Sequence, residues 1–127
     1  MITGVGIDIL AIERFRTLRN KSKFISNVFT EKEIALSSVY SRRDSIYAAL
    51  FTLKEAVLKV VRYGLRFGTL WQQVEIDHKL RPRISGSLLE LATKQPNAKI
   101  HASVACTRNF ALSIALKETG PESPGGV

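Results

Sequence analysis

A chain of 127 residues, 45% hydrophobic and 24% charged, has the size and composition of one folded domain and not of a disordered segment. Nineteen Lys and Arg against eleven Asp and Glu leave a formal charge of +8, which favours anionic partners: nucleic acid, an acidic protein or a phosphate-rich ligand. The single cysteine, Cys106, excludes an internal disulfide, and no apolar run approaches the roughly 20 residues of a membrane span. With no basic-then-apolar leader at the start, a cytoplasmic protein is expected.

Val5, Ile7 and Ile9 alternate with Gly4, Gly6 and Asp8, the period of a strand, so Asp8 shares a face with two glycines that leave room for close approach. Ile12, Phe15 and Leu18 follow at helical spacing among Arg14, Arg16 and Arg19, which predicts a short basic helix. Thr30-Glu31-Lys32-Glu33 has the form of a capping box and starts another helix. Ser41-Arg42-Arg43-Asp44 has the same form and opens the strongest helix, expected to run to about Tyr63 with Gly64 ending it. Its apolar face (Ile46, Leu50, Leu53, Val57, Val60, Val61) is widened by Tyr47, Phe51 and Leu58, so the helix is central or covered on two sides. Thr52, Glu55 and Lys59 fall on what remains, flanked by Arg62.

Trp71 to Ile76 reads as a strand, interrupted by Arg81-Pro82 before Arg83-Ile84-Ser85 extends again. Ser87-Leu88-Leu89-Glu90 is a third capping box, with a helix to about Lys94. Ile100–Cys106 and Phe110–Leu116 form a hairpin around Thr107-Arg108-Asn109. Strands and helices mix without strict alternation, which gives an α+β class; the domain is expected over 1–118 and a Gly/Pro-rich tail over 119–127.

Chemistry is concentrated in Asp8, Glu55 and Lys59. Two carboxylates are enough protein ligands for Mg²⁺ when substrate phosphates complete its shell. An ammonium one helical turn from Glu55 suits a diphosphate. Each piece also has a plain reading: a Glu–Lys pair at this spacing stabilises a helix by about 0.2–0.5 kcal/mol, and an aspartate at a strand end commonly caps a turn.

In combination, Gly4-Val5-Gly6-Ile7-Asp8-Ile9, Phe29-Thr30-Glu31-Lys32-Glu33 and Lys54-Glu55-Ala56-Val57-Leu58-Lys59 resemble, in order and distance, the holo-[acyl-carrier-protein] synthases, the short 4′-phosphopantetheinyl transferases. The resemblance covers about residues 2–117. It implies a single domain of antiparallel sheet packed on a long central helix. The implied activity is transfer of 4′-phosphopantetheine from coenzyme A to a serine of apo acyl carrier protein, releasing adenosine 3′,5′-bisphosphate. Asp8 and Glu55 would hold Mg²⁺, Glu55 would help remove the serine proton directly or through water, and Lys59 would neutralise the diphosphate. Coenzyme A contacts would fall to Lys59, Arg42, Arg43, Arg62, Gly64, Ser103 and Thr107, and Arg14 would dock the acidic carrier. A homotrimer with sites at subunit interfaces is implied; membrane and nucleic-acid partners are not.

One block departs from the family. Its usual Ser-x-Ser-His-Thr is Ser103-Val104-Ala105-Cys106-Thr107 here, with Cys106 on the strand face of Ala102 and Val104 and expected to be a small buried hydrophobe. Arg62 stands where the family usually has glycine, as a phosphate contact or a helix C-terminal cap. His78 and His101 have no metal-ligand spacing and are expected at the surface. The altered block motivates an alternative, a non-catalytic carrier-binding module; charge alone motivates another, a small basic nucleic-acid-binding domain.

Overall fold

The computed structural model describes residues 1–61, 70–94 and 97–121. A long first strand, β1 (Ile2–Ala11), leads into three short helices, α1 (Ile12–Arg16), α2 (Lys21–Val28) and α3 (Glu31–Ser38), and then α4 (Arg43–Val61). A 3-10 turn (Trp71–Gln73) precedes β2 (Val74–Ile76), β3 (Pro82–Ile84), α5 (Gly86–Ala92), β4 (Ala98–Cys106) and β5 (Phe110–Thr119). Antiparallel β1, β5 and β4, with β5 central, form one sheet, and β2 and β3 a separate hairpin. This is the expected α+β arrangement of an antiparallel sheet on a long helix. Among the described residues no helix is long and apolar enough to cross a membrane.

Helix α4 is covered on both sides, and the two sides differ in side-chain size. Ala48, Thr52, Ala56 and Val60 recur every fourth residue, all buried, and meet the sheet. Thr52 Oγ1 lies 2.7 Å from Ser113 Oγ on β5, and Ala48 packs with Ala111 and Ile12. At Gly6 the backbones are so close that a Cβ would stand 2.2 Å from the Ala56 carbonyl oxygen. Thr52 is therefore a buried sheet contact and not part of an open helix face. The other side carries Tyr47, Leu50, Leu53 and Val57, packed with Phe15, Val28, Phe29, Val74 and Leu88 in the main core. Tyr47 stacks on Phe15 at 5.6 Å between ring centroids and tilts against Phe29 at 4.8 Å.

Several boundaries differ from the sequence expectation, each for a local reason. The Thr30 capping box forms as expected, but Ser41 caps nothing: Ile46 N–H donates to the Arg42 carbonyl, and the Asp44 carboxylate pairs with Lys21 on α2. Trp71–Gln73 curls because the Lys54 ammonium bonds the Trp71 and Val74 carbonyls, so the strand begins only at Val74. At the start of α5, N-capped by Ser85, the Gln73 carboxamide oxygen accepts from Leu88 N–H and Ser87 Oγ–H, taking the cap role expected of Ser87. Helix α2 was not expected; it opens at Asn20 in the left-handed region (φ 52°). Tyr63 and Gly64, the expected helix end, lie outside the described residues, as do 122–127 of the expected tail.

The sheet's outer face is apolar and uncovered. Val5, Ile7, Ile9, Phe110, Leu112 and Ile114 line up across β1 and β5 with exposures of 39–61%. On β4 the same face carries His101 and Ser103.

Candidate active site

The alternation of β1 sends Asp8 to the inner face, opposite Ser113, where its side chain is 19% exposed. Lys59, in the last turn of α4, reaches across: its Nζ donates to the Ile7 carbonyl at 2.8 Å and to Asp8 Oδ1 at 3.0 Å. Glu55, one turn earlier, is half-buried and accepts the Trp71 indole N–H on Oε1 at 2.5 Å. The plain Glu55–Lys59 helix pair does not form, because each side chain has a better-placed partner on another element. The close Gly6–Ala56 approach is what brings strand and helix near enough for this.

Asp8 and Glu55 line one cavity of about 370 Å³, with Arg14 at its edge and an apolar wall that includes Phe24 and Phe51. Among the described residues no group of three or more His, Cys, Asp or Glu side chains comes together. The donor set is two carboxylates on a partly open cavity. It fits a hard cation that takes oxygen ligands and shares its shell with water and substrate phosphates.

Behind Glu55 lies a second polar cluster that sequence reasoning did not assign. Lys54 and Glu33 are fully buried and pair at 2.7 Å. The ammonium spends its three donors on Glu33, the Trp71 carbonyl (2.9 Å) and the Val74 carbonyl (2.7 Å). Glu33 also accepts from Thr30 N–H and Ile76 N–H, so the charges are paired and hydrogen-bonded as buried charges must be. Burial pushes the Lys54 ammonium below its ordinary pKa, while Glu33 pulls it back up. The Thr-x-x-Glu cap was visible in the sequence; its second use, anchoring a lysine within an apolar helix face, was not.

The other expected site residues that the structure describes are elsewhere in the single chain. Arg42 and Arg43, at the far end of α4 from Glu55, line a separate cavity of about 680 Å³ with Arg16 and Arg108; the separation is about 18 Å at ~1.5 Å rise per residue. Ser103 is on the outer sheet face, and Thr107 Oγ1 accepts from Asn109 and Phe110 N–H within the β4–β5 turn. Arg62 and Gly64 lie outside the described residues. Cys106 is exposed, not buried as expected, because it ends β4, an edge strand of the sheet; partial burial still raises its thiol pKa. His78 and His101 are at the surface, His101 beside Glu118 at 2.8 Å.

The profile of the 4′-phosphopantetheinyl transferase superfamily matches residues 4–115. The chain is 34% identical to the holo-[acyl-carrier-protein] synthase of Clostridium tetani over 122 residues, covering 93% of this chain and 97% of that one. It is 33% identical to the synthase of Geotalea daltonii, covering 93% and 99%. Among solved structures, the Bacillus anthracis holo-(acyl-carrier-protein) synthase in complex with CoA (3′,5′-ADP) superimposes with a TM-score of 0.71 at 26% identity, covering 94% of this chain and 99% of that one. The Helicobacter pylori synthase in complex with coenzyme A gives 0.71 at 25%, covering 91% and 100%. With Asp8 and Glu55 lining one cavity and Lys59 bonded to Asp8, the chain belongs to the 4′-phosphopantetheinyl transferase superfamily, alongside the holo-[acyl-carrier-protein] synthases.

Proposed function

We propose that the protein is a Mg²⁺-dependent holo-[acyl-carrier-protein] synthase acting in the cytoplasm. It transfers 4′-phosphopantetheine from coenzyme A to a serine of apo acyl carrier protein. The observation that carries this reading is that Asp8 and Glu55, from a strand and a helix distant in sequence, line one cavity, with Lys59 bonded to Asp8. Asp8 and Glu55 would hold the cation against the diphosphate, where it would neutralise charge developing on the phosphoryl oxygens.

The serine oxygen forms a bond to the β-phosphorus, and the bond from that phosphorus to the bridging oxygen breaks. Adenosine 3′,5′-bisphosphate leaves with the bridging oxygen. The Glu55 carboxylate, directly or through water, takes the serine proton, and the Lys59 ammonium stabilises the diphosphate and the departing charge. Arg14, exposed at the cavity edge, suits an acidic carrier approaching that mouth.

Arg42, Arg43, Ser103 and Thr107 would serve coenzyme A from a neighbouring copy. The uncovered apolar face of β1 and β5 supports self-association, and the family resemblance supplies the number, a homotrimer. Arg62 and Gly64 complete the proposed coenzyme A contacts.

The test is intact-mass spectrometry of an apo carrier protein incubated with this protein, coenzyme A and Mg²⁺. The expected result is a gain of the phosphopantetheine mass, abolished by chelator and by Asp8→Ala or Glu55→Ala in variants that remain folded. Carrier binding without mass gain would leave the non-catalytic module as the reading. Full turnover in both variants would remove Asp8 and Glu55 from the site.

A further inference from the structure

We infer that Trp71 is a positioning residue: its indole N–H fixes one oxygen of Glu55 so that the other faces the divalent cation. The inference rests on the reading of Glu55 as a cation ligand and names the group that orients it. Trp71 Nε1–H donates to Glu55 Oε1, which ties down a side chain with three rotatable bonds, while Glu55 lines the cavity and its Oε2 has no hydrogen-bond partner among the described residues. A carboxylate ligand held by an outer hydrogen bond meets the ion already oriented, and loss of such a partner typically weakens metal binding about 10–100-fold.

Trp71 is itself held on both sides. Its carbonyl accepts from the Lys54 ammonium, which is fully buried and paired with Glu33. The next residue, Gln72, sends its carboxamide N–H₂ to the Ser26 and Phe29 carbonyls at 2.9 and 3.2 Å. Consecutive residues of α4 thus grip the same tryptophan, Lys54 by its backbone and Glu55 by its ring. The buried pair sets the 3-10 turn, the turn sets the indole, and the indole sets the carboxylate. Packing alone does not account for the arrangement, since a ring beside Phe51 could fill the space without aiming a donor at Glu55.

Trp71 is the only tryptophan in the chain, so tryptophan fluorescence reports on the surroundings of this one ring. The experiment uses Mn²⁺ as the probe, with free Mn²⁺ followed by electron paramagnetic resonance at a fixed coenzyme A concentration, for the wild type, W71F and E55Q. Glu55→Gln is expected to abolish the protein-dependent site. Trp71→Phe keeps a ring and removes the N–H; it should weaken Mn²⁺ about 10–100-fold while its circular dichroism is retained. In turnover the half-saturating Mg²⁺ concentration should rise by the same factor, with kcat recovered at saturating metal. A purely structural tryptophan would not move that split. In the wild type, Mg²⁺ added to coenzyme A-saturated protein should change the tryptophan emission, and in E55Q it should not.

A W71F protein whose Mn²⁺ affinity matches the wild type, while E55Q has lost it, overturns the role of Trp71 and leaves Glu55 as ligand. An E55Q protein that binds like the wild type overturns both. If W71F fails to fold, the wild-type emission decides, and an emission indifferent to Mg²⁺ overturns the inference.

Discussion

Replacing Gly6 by alanine tests whether the site depends on how closely β1 lies on α4. A Cβ at this position would stand 2.2 Å from the Ala56 carbonyl oxygen and 3.0 Å from Val60 Cγ2. The obstacle at Ala56 is helix backbone, which cannot rotate away, so strand and helix must part by about 1 Å to restore a normal contact. Overpacking of this kind costs about 1–3 kcal/mol. At about 4 °C per kcal/mol for a chain of this length, the melting midpoint should fall by about 4–12 °C. Activity should suffer more than stability, because the displaced strand carries Asp8 and the displaced helix carries Glu55 and Lys59. A misplacement of about 1 Å between reacting groups can cost on the order of 100-fold in rate. Gly4→Ala is the matched control: its nearest neighbours would be Lys117 Cβ at 3.6 Å and Val60 Cγ1 at 3.8 Å, ordinary contacts. That variant should be neutral, or more stable by about 0.4–1 kcal/mol through the stiffer unfolded chain. The assays are thermal melting by circular dichroism and the initial rate of holo-carrier formation by intact mass. A Gly6→Ala protein that melts and turns over like Gly4→Ala would refute the close-approach argument.

Lys54→Met should be strongly destabilising, by about 3–5 kcal/mol in urea denaturation, because it leaves the buried Glu33 charge without its partner; a loss below about 1 kcal/mol would contradict a charged pair there. Asp77 accepts from Lys79 N–H and Arg81 N–H, and these backbone bonds, Arg81 first, hold its pKa below the ordinary 3.8. The sign follows from the unfolded chain binding the proton more readily: the contribution is present above the ordinary carboxylate pKa and is lost as pH falls through the lower native value. An NMR titration should find the Asp77 midpoint below 3.8. Partial burial raises the Cys106 thiol above 9.0, so the pH profile of its alkylation by iodoacetamide should have its midpoint above that value despite the exposed position; a midpoint near neutrality would mean a nearby charge assists the thiolate.

Patterns that depend on neighbours in the chain were legible. The two-residue alternation placed Asp8 on the glycine face of β1, and the structure keeps it there. The 3.6-residue period located the long helix, and Thr30 and Glu33 announced a capping box that forms. The hairpin around Thr107-Arg108-Asn109 was read correctly because its two strands and turn are contiguous. Where a cap or curl depends on a remote partner, local signals misled. Ser87 looked like a cap, but Gln73 takes that role, accepting from Leu88 N–H fifteen residues away. Trp71 to Gln73 looked extended until the Lys54 ammonium bent it. Thr52 looked free on a helical wheel, which shows one helix and not the sheet that covers it.

By itself, the sequence determined the class, the order of most elements and the residues worth suspecting, because periodicity, capping and spacing are properties of adjacent residues. Only the tertiary structure decided what those residues do together. It gave Lys59 to Asp8 and Glu55 to Trp71, although helix spacing alone would pair Glu55 with Lys59. It also buried Lys54 beside Glu33 at the cost of two desolvated charges, which three acceptors around the ammonium offset. The physical reason is the same in each case: a side chain's partner is set by which backbones can approach, and here a glycine on one strand admits the helix.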